Sequence, residues 1–108
     1  MTKKAINNVF WHDGNLVDIS YTIDSKGKST IVITALFYKN EKSPAKDKYQ
    51  IQCETVSRFS NTIDAVELKK NMFAGNIWNG HLRDDTLRLY FTEGLLEVQA
   101  KRFRLVGF

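Results

Sequence analysis

The sequence predicts an all-β fold, an antiparallel β-sandwich or open barrel of about seven strands with one short helix. Apolar and polar residues alternate strictly in three stretches, residues 16–23, 29–38 and 87–100, as they do in half-buried strands. Short polar connections join successive predicted strands, which favours antiparallel over parallel pairing. We expect one β-sandwich domain over residues 1–108; the alternative is an α+β fold whose helix covers a single curved sheet.

The first half of the chain predicts four strands. Gly14 and Asn15 tolerate positive φ and therefore predict a turn after a weakly patterned first strand. The only proline, among charged residues without periodicity, predicts a surface loop before the fourth strand. In chain order we expect a strand at 5–11, a turn at 12–15, strands at 16–23 and 29–38 around a loop at 24–28, a loop at 39–48 and a strand at 48–56.

The second half predicts the helix and three further strands. Asn61 followed by Asp64 is typical of a helix start, because an Asn side chain caps the first turn and an acid there suits the helix dipole. We therefore expect a helix at 63–71. Near the end of the last strand the apolar residues change parity, which predicts a β-bulge near Lys101–Arg102. The expected strands lie at 76–82, 86–92 and 95–106.

The composition is typical of a cytoplasmic protein without a cofactor. The single cysteine, Cys53, shares the apolar side of an alternating run, so we expect it to be a buried thiol. No spacing of residues is typical of a metal, cofactor or catalytic site, and we expect no enzymatic activity. No apolar stretch has the length of a signal-peptide core or the ~20 residues that span a bilayer, so we expect no membrane interaction.

An aromatic and titratable cluster near the N-terminus is the best local candidate for a binding site. Trp11, His12 and Asp13 place an indole beside an imidazole and a carboxylate, and Trp78 is the second tryptophan of the chain. We predict these four residues as partner-binding residues. The alternative is structural: the aromatic side chains pack into the core and Asp13 accepts backbone N–H groups in a turn.

The same residues carry a resemblance to known families. The opening Trp11-His12-Asp13 with Leu16, and the later stretch 53–56, are similar to those of small bacterial all-β proteins, some uncharacterised and some immunity proteins of polymorphic toxin systems. This resemblance implies an intracellular protein that neutralises a toxin by covering its surface. The predicted function is therefore a non-enzymatic binding protein that acts through a macromolecular partner.

Nucleic-acid binding is the alternative function. The chain carries a formal net charge of +4, and its basic residues include a lysine-rich loop and a basic last strand with aromatic rings nearby. An enzyme or sugar-binding module built around Trp11, His12 and Trp78 is a third possibility. The candidate nucleic-acid-binding residues are Lys46, Lys48, Lys101, Arg102 and Arg104.

Overall fold

Six antiparallel strands close into a barrel in the computed structural model, which describes residues 2–63, 76–92 and 94–107. Around the barrel the strands follow the order β1, β2, β3, β6, β5, β4, and β4 returns to β1. The described elements are α1 (Thr2–Asn7), β1 (Phe10–Ile23), β2 (Ser29–Tyr38), β3 (Asp47–Asn61), β4 (Asn76–Arg83), β5 (Thr86–Phe91) and β6 (Gly94–Gly107).

The all-β class, the antiparallel pairing and a short helix are confirmed, whereas the predicted sandwich or open barrel of seven strands is wrong. A closed barrel leaves no unpaired sheet edge where closure is complete, and here the closing contact joins Gly14 to Ile77 and Asn15 to Asn76. The strand count differs because the segment predicted as a first strand forms α1 and the beginning of β1 instead. The predicted helix at 63–71 lies outside the described residues, apart from Ile63.

Helix α1 covers one end of the barrel. Ile6 is fully buried, and its carbonyl accepts a hydrogen bond from Trp11 Nε1 at 3.1 Å. The Asn7 amide donates to the Leu82 carbonyl at 2.9 Å and accepts from the Leu82 N–H at 2.7 Å, which ties α1 to β4. These contacts explain why the two-residue alternation is weak in this segment.

The predicted turn at 12–15 is wrong, because β1 runs through it as a distorted strand. The pairing of β1 with β2 changes register between Phe10 and Asn15, and Asp13 has a φ of 66°. Extra residues in one strand are accommodated as a bulge, which bends the strand without reversing it. Asn, Asp and Gly tolerate positive φ, and here Asp13 adopts it inside a strand and not in a turn.

Three other predicted connections are confirmed. In loop 24–28 the Asp24 carboxylate accepts the backbone N–H groups of Lys26 and Lys28, each at 2.9 Å, and Gly27 takes a φ of 81°. A tight turn at Asp84, with a φ of 56°, joins β4 to β5. The loop before β3 is also present, although β3 begins at Asp47.

The apolar parity of β6 changes as predicted, since Ala100 and Phe103 are both buried while Lys101 and Arg102 are exposed. The register shift itself lies in the neighbouring strand, between Val56 and Arg58 of β3. Inward side chains from all six strands and from α1 fill the barrel. The largest fully buried ones are Phe37, Ile6, Ile31, Ile33, Ile51, Ile77, Leu87, Leu89, Leu96, Val98 and Cys53.

Candidate functional site

The structure separates the two tryptophans predicted to bind a partner. Trp11 is only 4% exposed, and its ring lies 5.0 Å from that of Phe37 inside the barrel. Trp78, on β4, is 54% exposed. Trp11 therefore belongs to the core, and Trp78 alone of the two presents its ring to solvent.

His12 and Asp13 lie outside the barrel, close to where β1 meets β4. His12 Nε2 is 3.7 Å from Asp13 Oδ2, and both side chains are well exposed. Gly14 is paired with Ile77, so Asp13 and Trp78 lie on adjacent strands. Because both side chains are well exposed, water screens any charge interaction between them.

A register shift in β4 turns Trp78 outward. The register between β4 and β5 shifts between Ile77 and Asn79. Ile77 and Gly80 therefore both face the barrel interior, although they are three positions apart, whereas Trp78 faces solvent. Glycine is required at position 80, because a Cβ there would lie 2.7 Å from Leu89 Cδ2 and 2.9 Å from Trp11 Cδ2. The shift therefore places Trp78 and Gly80 on opposite faces, although they are two residues apart.

Three rings form an aromatic row, defined as Trp78, His81 and Tyr90, on the outer face of β4 and β5. The ring centroids of Trp78 and Tyr90 are 5.9 Å apart, and those of His81 and Tyr90 are 5.6 Å apart. Tilted rings at such distances attract one another weakly, which limits their motion while leaving the Trp78 face open. The row can stack against a planar or apolar ligand.

The imidazole of this row is held in its neutral form. Burial lowers the pKa of His81, and the positive charges of Arg83 and Arg88 lower this pKa further. A neutral imidazole is a flat ring that can both donate and accept a hydrogen bond. At neutral pH His81 therefore adds stacking surface, while the positive charge of the site comes from arginine.

Basic side chains lie around the aromatic row. Strand pairing sets Arg83 beside Thr86, Thr86 beside Gln99 and Gln99 beside Arg58, so these four residues form a line across β4, β5, β6 and β3. Arg58 and Arg83 are exposed, and within the described residues neither forms an ion pair with a carboxylate. We name this surface, together with the aromatic row, the open face.

A second outer face, formed by β3 and β6 and the loop before β2, has its cations grouped around one carboxylate, Glu54. Arg104 Nε lies 3.4 Å from Glu54, and Lys28 Nζ lies 3.5 Å from the other oxygen of the same carboxylate. Arg104 also donates to Gln52 Oε1 at 2.8 Å. We name this surface the paired face. Gln52 and Glu54 therefore both face outward from β3.

The five basic residues predicted to bind nucleic acid do not share one surface. Lys46 Nζ donates to Asn15 Oδ1 at 2.5 Å and lies 5.4 Å from the centre of the Tyr38 ring. Lys48 and Arg58 are ten residues apart along β3, roughly 33 Å at the rise of a strand. Arg104 belongs to the paired face. Arg102 is paired with Glu54 and so belongs to the paired face as well. Only Lys101, exposed on β6, continues the open face beyond Gln99.

No family model, curated protein or solved structure matches this chain. Its function must therefore be argued from its own side chains. No helix in the described part of the chain has the length and apolar content needed to cross a membrane.

The remaining candidates for chemistry are few in the part of the chain that the structure describes. Burial raises the pKa of the Cys53 thiol to about 12, so this thiol stays protonated at neutral pH and is a poor nucleophile. This confirms the expected buried cysteine. Across the described ranges no three His, Cys, Asp or Glu side chains are grouped to hold a metal ion.

An apolar cluster lies near the far ends of β1 and β3, where its Phe59 directly follows Arg58 of the open face. Tyr21 is 51% exposed, and its ring stacks on that of Phe59 at 6.1 Å. Val17 and Ile23, also on β1, are at least as exposed as Phe59. Of the five exposed large hydrophobic residues of the described chain, three are on β1, one is Phe59 on β3 and the fifth is Trp78 on β4.

Sequence reasoning missed most of the open face. The alternation in β5 places Arg88 and Tyr90 outside, and this signal was available in the sequence. Their proximity to His81 and Trp78 depends on the register between β4 and β5, which includes a shift. The position of Arg58 depends likewise on a shift in β3.

Proposed function

We propose that this protein is a non-enzymatic binding protein whose partner is a macromolecule, and that this partner is single-stranded nucleic acid held on the open face. The observation that carries the proposal is the exposed Trp78, with Tyr90 and His81 beside it and unpaired arginines alongside. Bases stack on aromatic rings, and each such contact is worth about 1 to 3 kcal/mol.

The charge around the rings supports an anionic partner. Basic residues outnumber acidic ones on the open face, and Arg58 and Arg83 have no carboxylate partner among the described residues. An unneutralised arginine gains more from a phosphate than an arginine already in an ion pair. Among the described residues the basic ones are Arg58, Arg83, Arg88 and Lys101, and the acidic ones are Asp84, Asp85 and Glu97.

A single strand fits this surface better than a duplex. In a single strand the bases are unstacked and can lie flat on Trp78 and Tyr90. In a duplex the base faces are hidden inside the stack, so the exposed rings of the open face gain nothing from it. We therefore expect single-stranded DNA and RNA to bind and duplexes of the same sequence to bind more weakly.

Fluorescence anisotropy with labelled 12-nucleotide DNA and RNA strands tests the proposal. We expect Trp78→Ala to weaken binding about tenfold or more, because one stacking contact is lost. Tyr21→Ala is the matched control, since it removes an equally exposed ring from the apolar cluster. It should bind like the unmodified protein. The proposal fails if the unmodified protein binds no strand at about 50 mM salt, or if both variants weaken binding equally.

A protein partner is the second candidate, and the apolar cluster of Val17, Tyr21, Ile23 and Phe59 supports it. Tyr21 and Phe59 stack while both are exposed, and exposed apolar surface of this kind is typical of protein interaction sites. The toxin-neutralising role predicted from the sequence belongs to this candidate. Its test is photo-crosslinking in the native host, with a photoreactive phenylalanine analogue placed at position 21 or at position 78.

The two crosslinking positions distinguish the candidates. A discrete protein adduct at position 21 that is lost when Phe59→Lys is added supports a protein partner. A nucleic-acid adduct at position 78, with none at position 21, supports the open face. Protein adducts of equal yield at both positions would contradict the assignment of the nucleic-acid partner to the open face.

A further inference from the structure

A groove of about 190 Å³ lies on the open face, where β3, β6 and β5 run side by side. Arg58 of β3 and Arg88 of β5 lie on its two sides, and Glu97 and Gln99 of β6 lie between them. Ser60, opposite Glu97, adds a hydroxyl, and Phe59 of the apolar cluster also lines the groove. The groove is therefore rich in hydrogen-bond donors and contains two guanidinium groups.

The hydrogen bonds within the groove leave donors available. Arg88 donates through Nε to Glu97 Oε2 at 2.6 Å, which fixes the direction of its guanidinium while no described partner takes its two terminal nitrogens. Gln99 donates to Asp85 Oδ2 at 3.0 Å, so the Asp85 carboxylate is also engaged. Both nearby carboxylates have partners, whereas Arg58 has none among the described residues.

We propose that this groove holds one backbone phosphate of the strand whose bases stack on Trp78 and Tyr90. The inference rests on the function proposed above and assigns a phosphate position within it. Arg88 and Tyr90 are two residues apart on β5, about 7 Å, so base and phosphate of neighbouring nucleotides can be held together. Arginine suits this role because its planar fork matches phosphate oxygens.

Glu97 gives the groove selectivity. Its carboxylate repels an anion that lies directly over β6, so the phosphate is directed toward Arg58, two strands from β5. The expected contact is therefore with Arg58 first and with the terminal nitrogens of Arg88 second. Loss of Arg58 should remove most of the phosphate-specific affinity.

Oligonucleotides with one neutral linkage test this position. The probes are 12-nucleotide DNA strands in which a single methylphosphonate replaces one phosphodiester, moved along the strand. We expect one linkage whose neutralisation weakens binding about fivefold, with a smaller effect at the others. Arg58→Gln should bind the unmodified strand about fivefold more weakly than the original protein does. Neutralising the same linkage should then weaken the binding of Arg58→Gln no further.

The salt dependence gives a second readout. Each phosphate contact with a single strand contributes about 0.7 to the slope of log affinity against log salt, so Arg58→Gln should lower the slope by about that amount. Arg104→Gln, which removes an arginine of the paired face, is the matched control and should leave the slope unchanged. Thermal unfolding of both variants checks that each is folded.

Failure of this inference differs from failure of the proposed function. If Arg58→Gln binds as the unmodified protein does while Trp78→Ala does not bind, the phosphate lies elsewhere and the stacking site stands. If the unmodified protein binds no strand, both are overturned. If every linkage contributes equally in Arg58→Gln and in the unmodified protein, the groove makes no specific phosphate contact.

Discussion

The open face and the paired face lie on the same barrel, share β3 and β6, and differ in how their charges are used. On the paired face Glu54 lies between Arg104 and Lys28, and Arg104 also bonds to Gln52. On the open face Arg58 and Arg83 have no carboxylate partner among the described residues, and aromatic rings lie beside them. The difference teaches that net charge alone does not locate a binding surface, because local pairing decides which cations are available.

The largest expected effect is the loss of stability when the core behind either face is truncated. Leu89, behind the open face, and Ile51, behind the paired face, are both buried. Truncating either to alanine should lower the free energy of unfolding by about 2 to 5 kcal/mol, since each leaves a cavity in a packed core. Urea denaturation measures this. A loss below about 0.5 kcal/mol at either site would show that the barrel is not packed behind that face.

The next effect is a pH dependence of stability that comes from Cys53, which is buried behind the paired face. The pKa of Cys53 rises from an ordinary 9.0 to about 12 in the folded protein. Because the pKa of Cys53 is higher in the folded chain, the contribution of this thiol to stability is fully present below the pKa of the unfolded chain. It is lost as the pH rises toward the pKa of the folded chain. Above about pH 9 the protein should lose up to about 1.4 kcal/mol per pH unit through this thiol.

Cys53→Ala is the control for this pH effect. Lysines and tyrosines titrate in the same range in both proteins, so the difference in slope isolates the thiol. Denaturation at about pH 8, 9 and 10 gives the two slopes. Parallel slopes for the two proteins would mean that Cys53 ionises equally well in the folded chain, and so that water reaches it.

A matched pair of arginines compares the faces directly. Arg83→Gln on the open face should lower the salt slope for single-stranded DNA by about 0.7, because one phosphate contact is lost. Arg104→Gln on the paired face makes the same charge change and should leave the slope as it is. Anisotropy titrations at several salt concentrations measure both. Equal slopes in the two variants would remove the distinction between the faces.

The smallest expected effect is the stability that the paired face gains from its ion pairs. Glu54 and Arg104 form a pair whose arginine is more than half exposed. Water screens such pairs, so a double-mutant cycle with Glu54→Gln and Arg104→Gln should give a coupling energy below about 1 kcal/mol. A coupling above about 2 kcal/mol would show that the paired face is a structural element and not merely a neutralised surface.

The sequence predicted the strands better than their arrangement. Alternation identified residues 29–38 and 86–92 because each inward side chain there recurs every second residue. It failed at Asp13, Val56 and Trp78, where register shifts change the side that a residue faces. A shift is the result of packing between strands, so the sequence of one strand does not specify it.

The candidate site was predictable only in part for the same reason. Trp78 was singled out as a large aromatic residue, and Lys101 as a basic one, but nothing in the local sequence links them to Tyr90 or Arg58. Those neighbours come together through pairing between β4 and β5 and between β3 and β6. The sequence also left open whether Arg104 is available, because its partner Glu54 is 50 residues away along the chain.

The opposite placement of the two tryptophans has an optical consequence. Trp11 lies in an apolar interior with its indole N–H bonded to Ile6, whereas Trp78 is surrounded by water on much of its surface. An indole in water emits at longer wavelength than one in an apolar site, because polar solvent relaxes around its excited state. The intrinsic fluorescence of this chain therefore contains two separable signals, one that follows unfolding of the barrel and one that follows occupation of its open face.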